Sequence, residues 1–296
     1  MQLREATRQD PTGKISSDVG PEQRYRAKDM KQNHHEVAEA VQSAVRGLLE
    51  SAENAALLPH LQSSLGISRL QIEEGCLHYT LQSFESDNDI YANVATHVAM
   101  WIEYQAARGI HARRQSVILN ELRRWRPSSL ADIGFGAPTQ YLRDYVLPSP
   151  GVKATLLDKY AAAIEVGQSI LSYWGATSSR DVSFALHDMD VDPPIPDRDC
   201  YLMLDSIEHA AHPEAYLRAT TAVARQGALF LFHMPIGPQI PSHSIAWNSN
   251  REATLWLAST GLEVASTEVI LPNAEVDLFA RHEVKMINLF VVAHKR

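Results

Sequence analysis

Cysteine is scarce: of 296 residues only Cys76 and Cys200 are cysteines. They lie far apart and have no zinc-ligand spacing, which argues against a disulfide scaffold or a zinc ribbon and for a reduced, cytoplasmic setting. Basic charge is also short, with 27 Lys+Arg against 35 Asp+Glu and a formal net charge of -8. Binding to nucleic acid or to an anionic membrane rests largely on a basic surface and counterion release, so neither partner is expected. No apolar run is long enough to span a bilayer, and the first 35 residues lack the apolar core of a signal peptide. There is no internal repeat and no low-complexity block.

What is present is a globular balance, 45% hydrophobic and 21% charged, in a chain long enough for a substantial core. Residues 1–30 are polar and broken by Pro11, Gly13, Gly20 and Pro21, which predicts a flexible arm. Residues 31–125 read as helical. Val37, Val41 and Val45 recur at four-residue steps, "AALLPHLQSSLG" is a helix interrupted by Pro59, and 89–127 supplies one or two long helices with a break at Gly109.

From 126 to 296 the pattern alternates. Strands are predicted in "SLADIGF", "VKATLLDKY", "DVSFALHDMD", "RDCYLMLDSI", "ALFLFHMP", "LEVASTEVIL" and "HEVKMINLFVVAHKR". Helices are predicted in "PTQYLRDYVL", "AAAIEVGQSILSYWG", "HPEAYLRATTAVARQG" and "SNREATLWLASTG". Such alternation predicts an α/β, Rossmann-like, doubly wound and mostly parallel seven-stranded sheet. The last two strands have no helix between them, so an antiparallel edge at the C-terminus is expected.

In such a sheet, ligands bind beyond the carboxyl ends of the strands. "LADIGFGAP" stands there after the first strand, with Gly134 and Gly136 free to adopt conformations closed to other residues. The following helix would aim unpaired N–H groups at an anion. The second strand ends in Asp158, suited to ribose hydroxyls. The third ends in "HDMD", where Asp188 can accept from an adenine amino group and Met189 can pack on the ring. The fourth ends in Asp205, Ser206, Glu208 and His209.

Together, "LADIGFGAP", "LLDKY", "ALHDMD", "YLMLDSIEHAAHPEAYL" and "VARQGALFLFHMP" resemble the class I S-adenosylmethionine-dependent methyltransferases, over about residues 127–296. The resemblance implies S-adenosylmethionine as co-substrate or substrate. It implies that Asp132, Gly134 and Gly136 line the methionine part, Asp158 the ribose, and Asp188 with Met189 the adenine. Asp205 belongs to the same cofactor-facing set. Two positions depart from the family pattern. Pro138 stands where a third small residue is common, and Phe135 offers either an aromatic face to a sulfonium or a side chain that packs under the helix. The G-x-G-x-P spacing speaks against a nicotinamide cofactor.

Transfer from a sulfonium needs alignment and a base for a protonated nucleophile. His209, His233 and His243 are the candidates, the last in a Pro- and Gly-rich substrate loop over 235–250 that also holds Trp247. Glu208, His209, His212, His233 and His243 have no recognised zinc spacing, so no metal is expected. Three functions remain open: methyl transfer to a small molecule, another use of the cofactor such as azetidine-2-carboxylate formation or aminocarboxypropyl transfer, and non-catalytic nucleotide binding. The helical region serves either as a lid or as a homodimer surface.

Overall fold

The computed structural model describes residues 49–82, 88–105, 109–175, 181–271 and 287–296, with three single positions before 49. The arm expected over 1–30 and the helix expected around Val37 to Val45 lie outside the described residues. Among the described residues, four helices precede the sheet: α1 (Ala52–Leu65), α2 (Arg69–Gln82), α3 (Val94–Gln105) and α4 (Gly109–Trp125). A short 3-10 turn, Asn88–Ala92, leads into α3. Helix α1 runs through Pro59 rather than stopping there. The proline deletes one backbone hydrogen bond, but burial of Leu57, Leu58 and Leu61 along the same helix holds it together.

The strands are β1 (Ser129–Ile133), β2 (Lys153–Asp158), β3 (Val182–Leu186), β4 (Cys200–Leu204), β5 (Leu229–Ile236), β6 (Leu262–Ile270) and β7 (Ile287–Lys295). They form one seven-stranded sheet in the order β3-β2-β1-β4-β5-β7-β6. β1 to β5 are parallel. The antiparallel strand expected at the C-terminal edge is β7, which pairs with β5 on one side and β6 on the other, so β6 is outermost. The connecting helices are α5 (Ala161–Tyr173), α6 (Pro213–Val223) and α7 (Asn250–Ser259). Between β1 and β2 the expected ten-residue helix shrinks to residues 140–146, mostly one wide π-type turn, Leu142–Val146. Pro138 before it and Pro148 after it bound the segment.

Strand residues alternate between two cores, as the two-residue period requires. Leu130, Leu156, Leu202, Leu231 and Phe290 join Ile118 and Leu122 of α4 on one face. Ala131, Ile133, Met203, Phe230 and Phe232 join Leu217 of α6 and Leu257 of α7 on the other. The chain reverses direction between β1 and β4, which opens a crevice at their carboxyl ends. Among the described residues, no helix is long and apolar enough to cross a membrane.

Helices α2 and α3 cross closely because Gly75 has no side chain. A Cβ there would lie 2.7 Å from the Ala95 Cβ and 2.8 Å from the Ala95 carbonyl carbon. Backbone cannot yield as a side chain can, so Gly75→Ala is expected to destabilise the fold by about 1–3 kcal/mol in urea denaturation. An unchanged midpoint would contradict this contact.

Candidate functional site

The glycine loop is fixed by backbone bonds before any ligand is considered. Gly134 and Gly136 have φ of 69° and 58°, the left-handed region that favours glycine. The N–H groups of Gly134 and Phe135 both donate to the Leu157 carbonyl, at 2.7 and 3.2 Å, folding the loop over the end of β2. A Cβ on Gly134 would meet the Ser206 Cβ at 2.6 Å, and one on Gly136 would meet the Met100 Cε at 2.5 Å.

Asp158 ends β2 and holds this loop from below. Its Oδ2 accepts the Gly136 N–H and its Oδ1 the Tyr160 N–H, each at 3.0 Å. Burial raises the Asp158 carboxyl, and His97 with these two N–H groups offsets part of the rise. From above, one ring nitrogen of His97 lies 2.7 Å from the Gly136 carbonyl and the other 2.7 Å from the Tyr91 carbonyl. Helix α3 is thereby tied to the loop.

Asp132 lies on the sheet face covered by α4. Its Oδ2 accepts the Tyr141 hydroxyl at 2.7 Å, and its Oδ1 has no partner among the described residues. Burial pushes its carboxyl up to about 7, against the lowering effect of the Tyr141 hydrogen bond and of Arg114.

Asp205 follows β4 with φ of 54°, an uncommon conformation for a residue with a side chain. Its backbone N–H donates to the His233 carbonyl at 2.9 Å. Its carboxylate accepts Arg114 Nη1 and His233 Nδ1, each at 2.7 Å. Arg114 is 1% exposed, and its guanidinium lies 4.5 Å over the Tyr104 ring. Burial works to raise the Asp205 carboxyl, but His233 and Arg114 outweigh it and hold it below the ordinary range. With Nδ1–H given to Asp205, the lone pair of His233 sits on Nε2, which is buried without a partner among the described residues. Burial lowers the His233 pKa, and the attraction of Asp205 restores part of it.

The turn Ile207–His209 adds a second polar group. Glu208 is 0% exposed, and neither carboxylate oxygen has a partner among the described residues. His209 Nδ1 donates to the Ser242 carbonyl at 3.0 Å, and its ring stands edge-on to His243 at 4.8 Å. Burial lowers His209 to about 4 and His243 to about 3, so both are neutral near pH 7. The Tyr91 ring neighbours His209 at 5.9 Å and Tyr160 at 6.1 Å.

The side chains of several expected contributors are engaged in other contacts. The Phe135 side chain enters the core, 5.7 Å from the Phe184 ring and against Gly167, so only its backbone faces the crevice. Its position between the loop and α5 makes burial its better environment. Trp247 is also core, and its backbone bridges to Ile236, anchoring the 235–250 loop rather than presenting a ring to a substrate. Asp188 uses Oδ1 to accept the Asp190 N–H within its own turn, and Met189 packs partly buried on the second core. The turn after the glycine loop is too short to offer a helix N-terminus to an anion.

Arg114, His97, Met100 and Tyr91 were not singled out from the sequence. For Arg114 a signal existed. It stands four residues after Ile110 and four before Ile118, inside the buried stripe of α4. A charge at a core position of a helix marks a buried partner.

No protein-family model matches the chain, and no curated protein is similar to it in sequence. Solved structures are. A candidate O-methyltransferase from Nostoc punctiforme superposes with a TM-score of 0.50 at 14% identity, covering 76% of this chain and 69% of that one. Magnesium protoporphyrin IX methyltransferase from Synechocystis, with bound SAH, gives 0.46 at 12% identity over 63% and 84%. The cyclase SpnF gives 0.46 at 14% identity over 56% and 74%. The fold is that of the class I S-adenosylmethionine-dependent methyltransferases. In this fold the crevice between β1 and β4 is where the acids and glycines described above converge.

The raised Asp132 carboxyl gives a pH test. A carboxyl whose folded-state pKa is about 7 binds its proton more tightly folded than unfolded. Its contribution is fully present below the unfolded value near pH 4 and is lost as pH rises to about 7. Asp132→Asn removes this loss while keeping an acceptor for Tyr141. The variant is expected to match the ligand-free wild type in stability at pH 4.5 and to exceed it by on the order of 2–4 kcal/mol at pH 7.5. Parallel pH–stability curves would contradict it.

Proposed function

We propose that the chain is an S-adenosylmethionine-dependent enzyme that transfers a methyl group to a small-molecule acceptor. The observation that carries this reading is the convergence, in this fold, of two positive-φ glycines with Asp132, Asp158 and Asp205 at adjoining strand ends. Asp132 Oδ1 and Ser206 Oγ are buried there without partners among the described residues, as expected of groups that await a polar ligand.

On this reading Asp132 and the Gly134–Gly136 loop hold the methionine end. Asp158 keeps a second lone pair on each oxygen for the ribose hydroxyls, while its bonds to Gly136 and Tyr160 fix its direction. Asp188 and Met189 border the adenine. The aromatic role expected of Phe135 passes to Tyr91 and Tyr160, whose rings favour a sulfonium. The bound cofactor supplies an electrophilic methyl group for in-line displacement. The chain aligns the acceptor and takes its proton, and His233 suits that task because Asp205 fixes its tautomer and leaves the Nε2 lone pair available. The helical segment ahead of the sheet acts as a cover that excludes water.

A second reading has its own observation. Met100 and His97 of α3 lie directly on Gly136, so the methionine end is roofed by the chain itself. A closed roof suits chemistry confined to the cofactor, such as attack by its own amine with release of methylthioadenosine. Incubation with S-adenosylmethionine, alone and with a panel of small nucleophiles, followed by mass spectrometry, separates the two. Methyl transfer predicts S-adenosylhomocysteine and a methylated acceptor. Methylthioadenosine above the spontaneous background, without any acceptor, would overturn it in favour of the second reading. Absence of both products would overturn both. In the productive assay, His233→Gln is expected to lower kcat by about 10²–10⁴-fold, and unchanged kcat would remove His233 as the base.

A further inference from the structure

We propose that Glu208, His209 and His243 form a binding site for one divalent transition-metal ion of the zinc type. Each offers one ligand atom, and the three atoms lie within 4.8 Å of one another. A common point therefore lies within about 2.8 Å of all three, against the ~2.0–2.2 Å of zinc–nitrogen and zinc–oxygen bonds, so small side-chain rotations close the site.

Independent features point to a cation rather than to a chance cluster. Glu208 is 0% exposed with two unpartnered oxygens, a costly state that a bound cation removes. His209 gives its Nδ1–H to the Ser242 carbonyl. That bond sets the tautomer with the lone pair on Nε2 and holds the ring, the support that metal-ligating histidines usually receive. The loop that carries His243 is fastened to the turn that carries Glu208 and His209. The Ser244 N–H donates to the Glu208 carbonyl at 2.8 Å, and Ser244 Oγ bonds the carbonyls of Glu208 and Ala210. The ligands therefore come preassembled from two loops. That is why no spacing along the chain announced them.

Two imidazoles and one carboxylate suit zinc or a neighbouring first-row ion, and three protein ligands leave a position open for an outside oxygen or nitrogen. Resting on the methyl-transfer reading, that position would take the nucleophilic atom of the acceptor, with His233 left as the base. Metal binding itself does not depend on that reading.

The test uses the full chain without an affinity tag, stripped with a chelator, titrated with Zn²⁺ by calorimetry and with Co²⁺ by visible absorption. One tight site per chain is expected, with Co²⁺ d–d bands of low coordination number. His243→Ala, on a partly exposed loop, and Glu208→Gln should each weaken binding by roughly 100-fold or more at an unchanged circular dichroism spectrum. No saturable Zn²⁺ binding would overturn the proposal, as would binding that His243→Ala retains in full. Should Glu208→Gln fail to fold, His243→Ala decides alone. Product analysis of the cofactor reaction is a separate readout, so loss of either claim leaves the other standing.

Discussion

The Asp205 carboxylate receives Arg114 from α4 and His233 from β5, while its own backbone closes β4 in a left-handed conformation. Three elements distant in sequence meet on one side chain. Burying a guanidinium as completely as Arg114 is costly unless a carboxylate and an aromatic face accompany it, and Asp205 and Tyr104 supply both. The strained φ of Asp205 persists because these bonds, with its N–H to the His233 carbonyl, over-determine the geometry. Removing the carboxylate would leave Arg114 unpaired and let His233 turn. Helix α4 would then lose its polar anchor at the crevice.

A second clamp works on the other side of the crevice. Asp158 draws the glycine loop toward β2, and His97 draws the same loop toward α3. Gly134 and Gly136 make this approach feasible, since side chains there would run into Ser206 and Met100. The helices ahead of the sheet are thus joined to its rim by two polar contacts as well as by apolar packing. A rim preorganised in this way spends little entropy in ordering when a ligand arrives.

The sheet was legible in the sequence because strand burial leaves unmistakable apolar runs, such as "CYLML" and "LFLFHMPI", separated by glycine turns and amphipathic helices. The strand-end acids were legible for the same reason, since a charge that terminates an apolar run marks the rim. What escaped depended on tertiary context. Pattern alone could not say that Pro59 would be tolerated inside α1, because the burial of Leu57, Leu58 and Leu61 that compensates for it depends on the elements packed around the helix. Nor could it say that the ring of Phe135 would turn into the core, since that depends on the space left by Gly167. His97 and Met100 read as ordinary helix residues until α3 is laid on the loop. Glu208 and His243 became neighbours only through a loop pinned by Ser242 and Ser244.

The central claim is that S-adenosylmethionine is held at this rim. Calorimetric titration of the wild type and of Asp158→Ala with S-adenosylmethionine tests it most directly. One site per chain is predicted in the wild type. Because a hydrogen bond to a charged group contributes about 1.5–3 kcal/mol, the variant should bind roughly 10–150-fold more weakly while remaining folded. A wild type that binds neither S-adenosylmethionine nor S-adenosylhomocysteine, or a folded variant that binds as tightly as the wild type, would contradict the account.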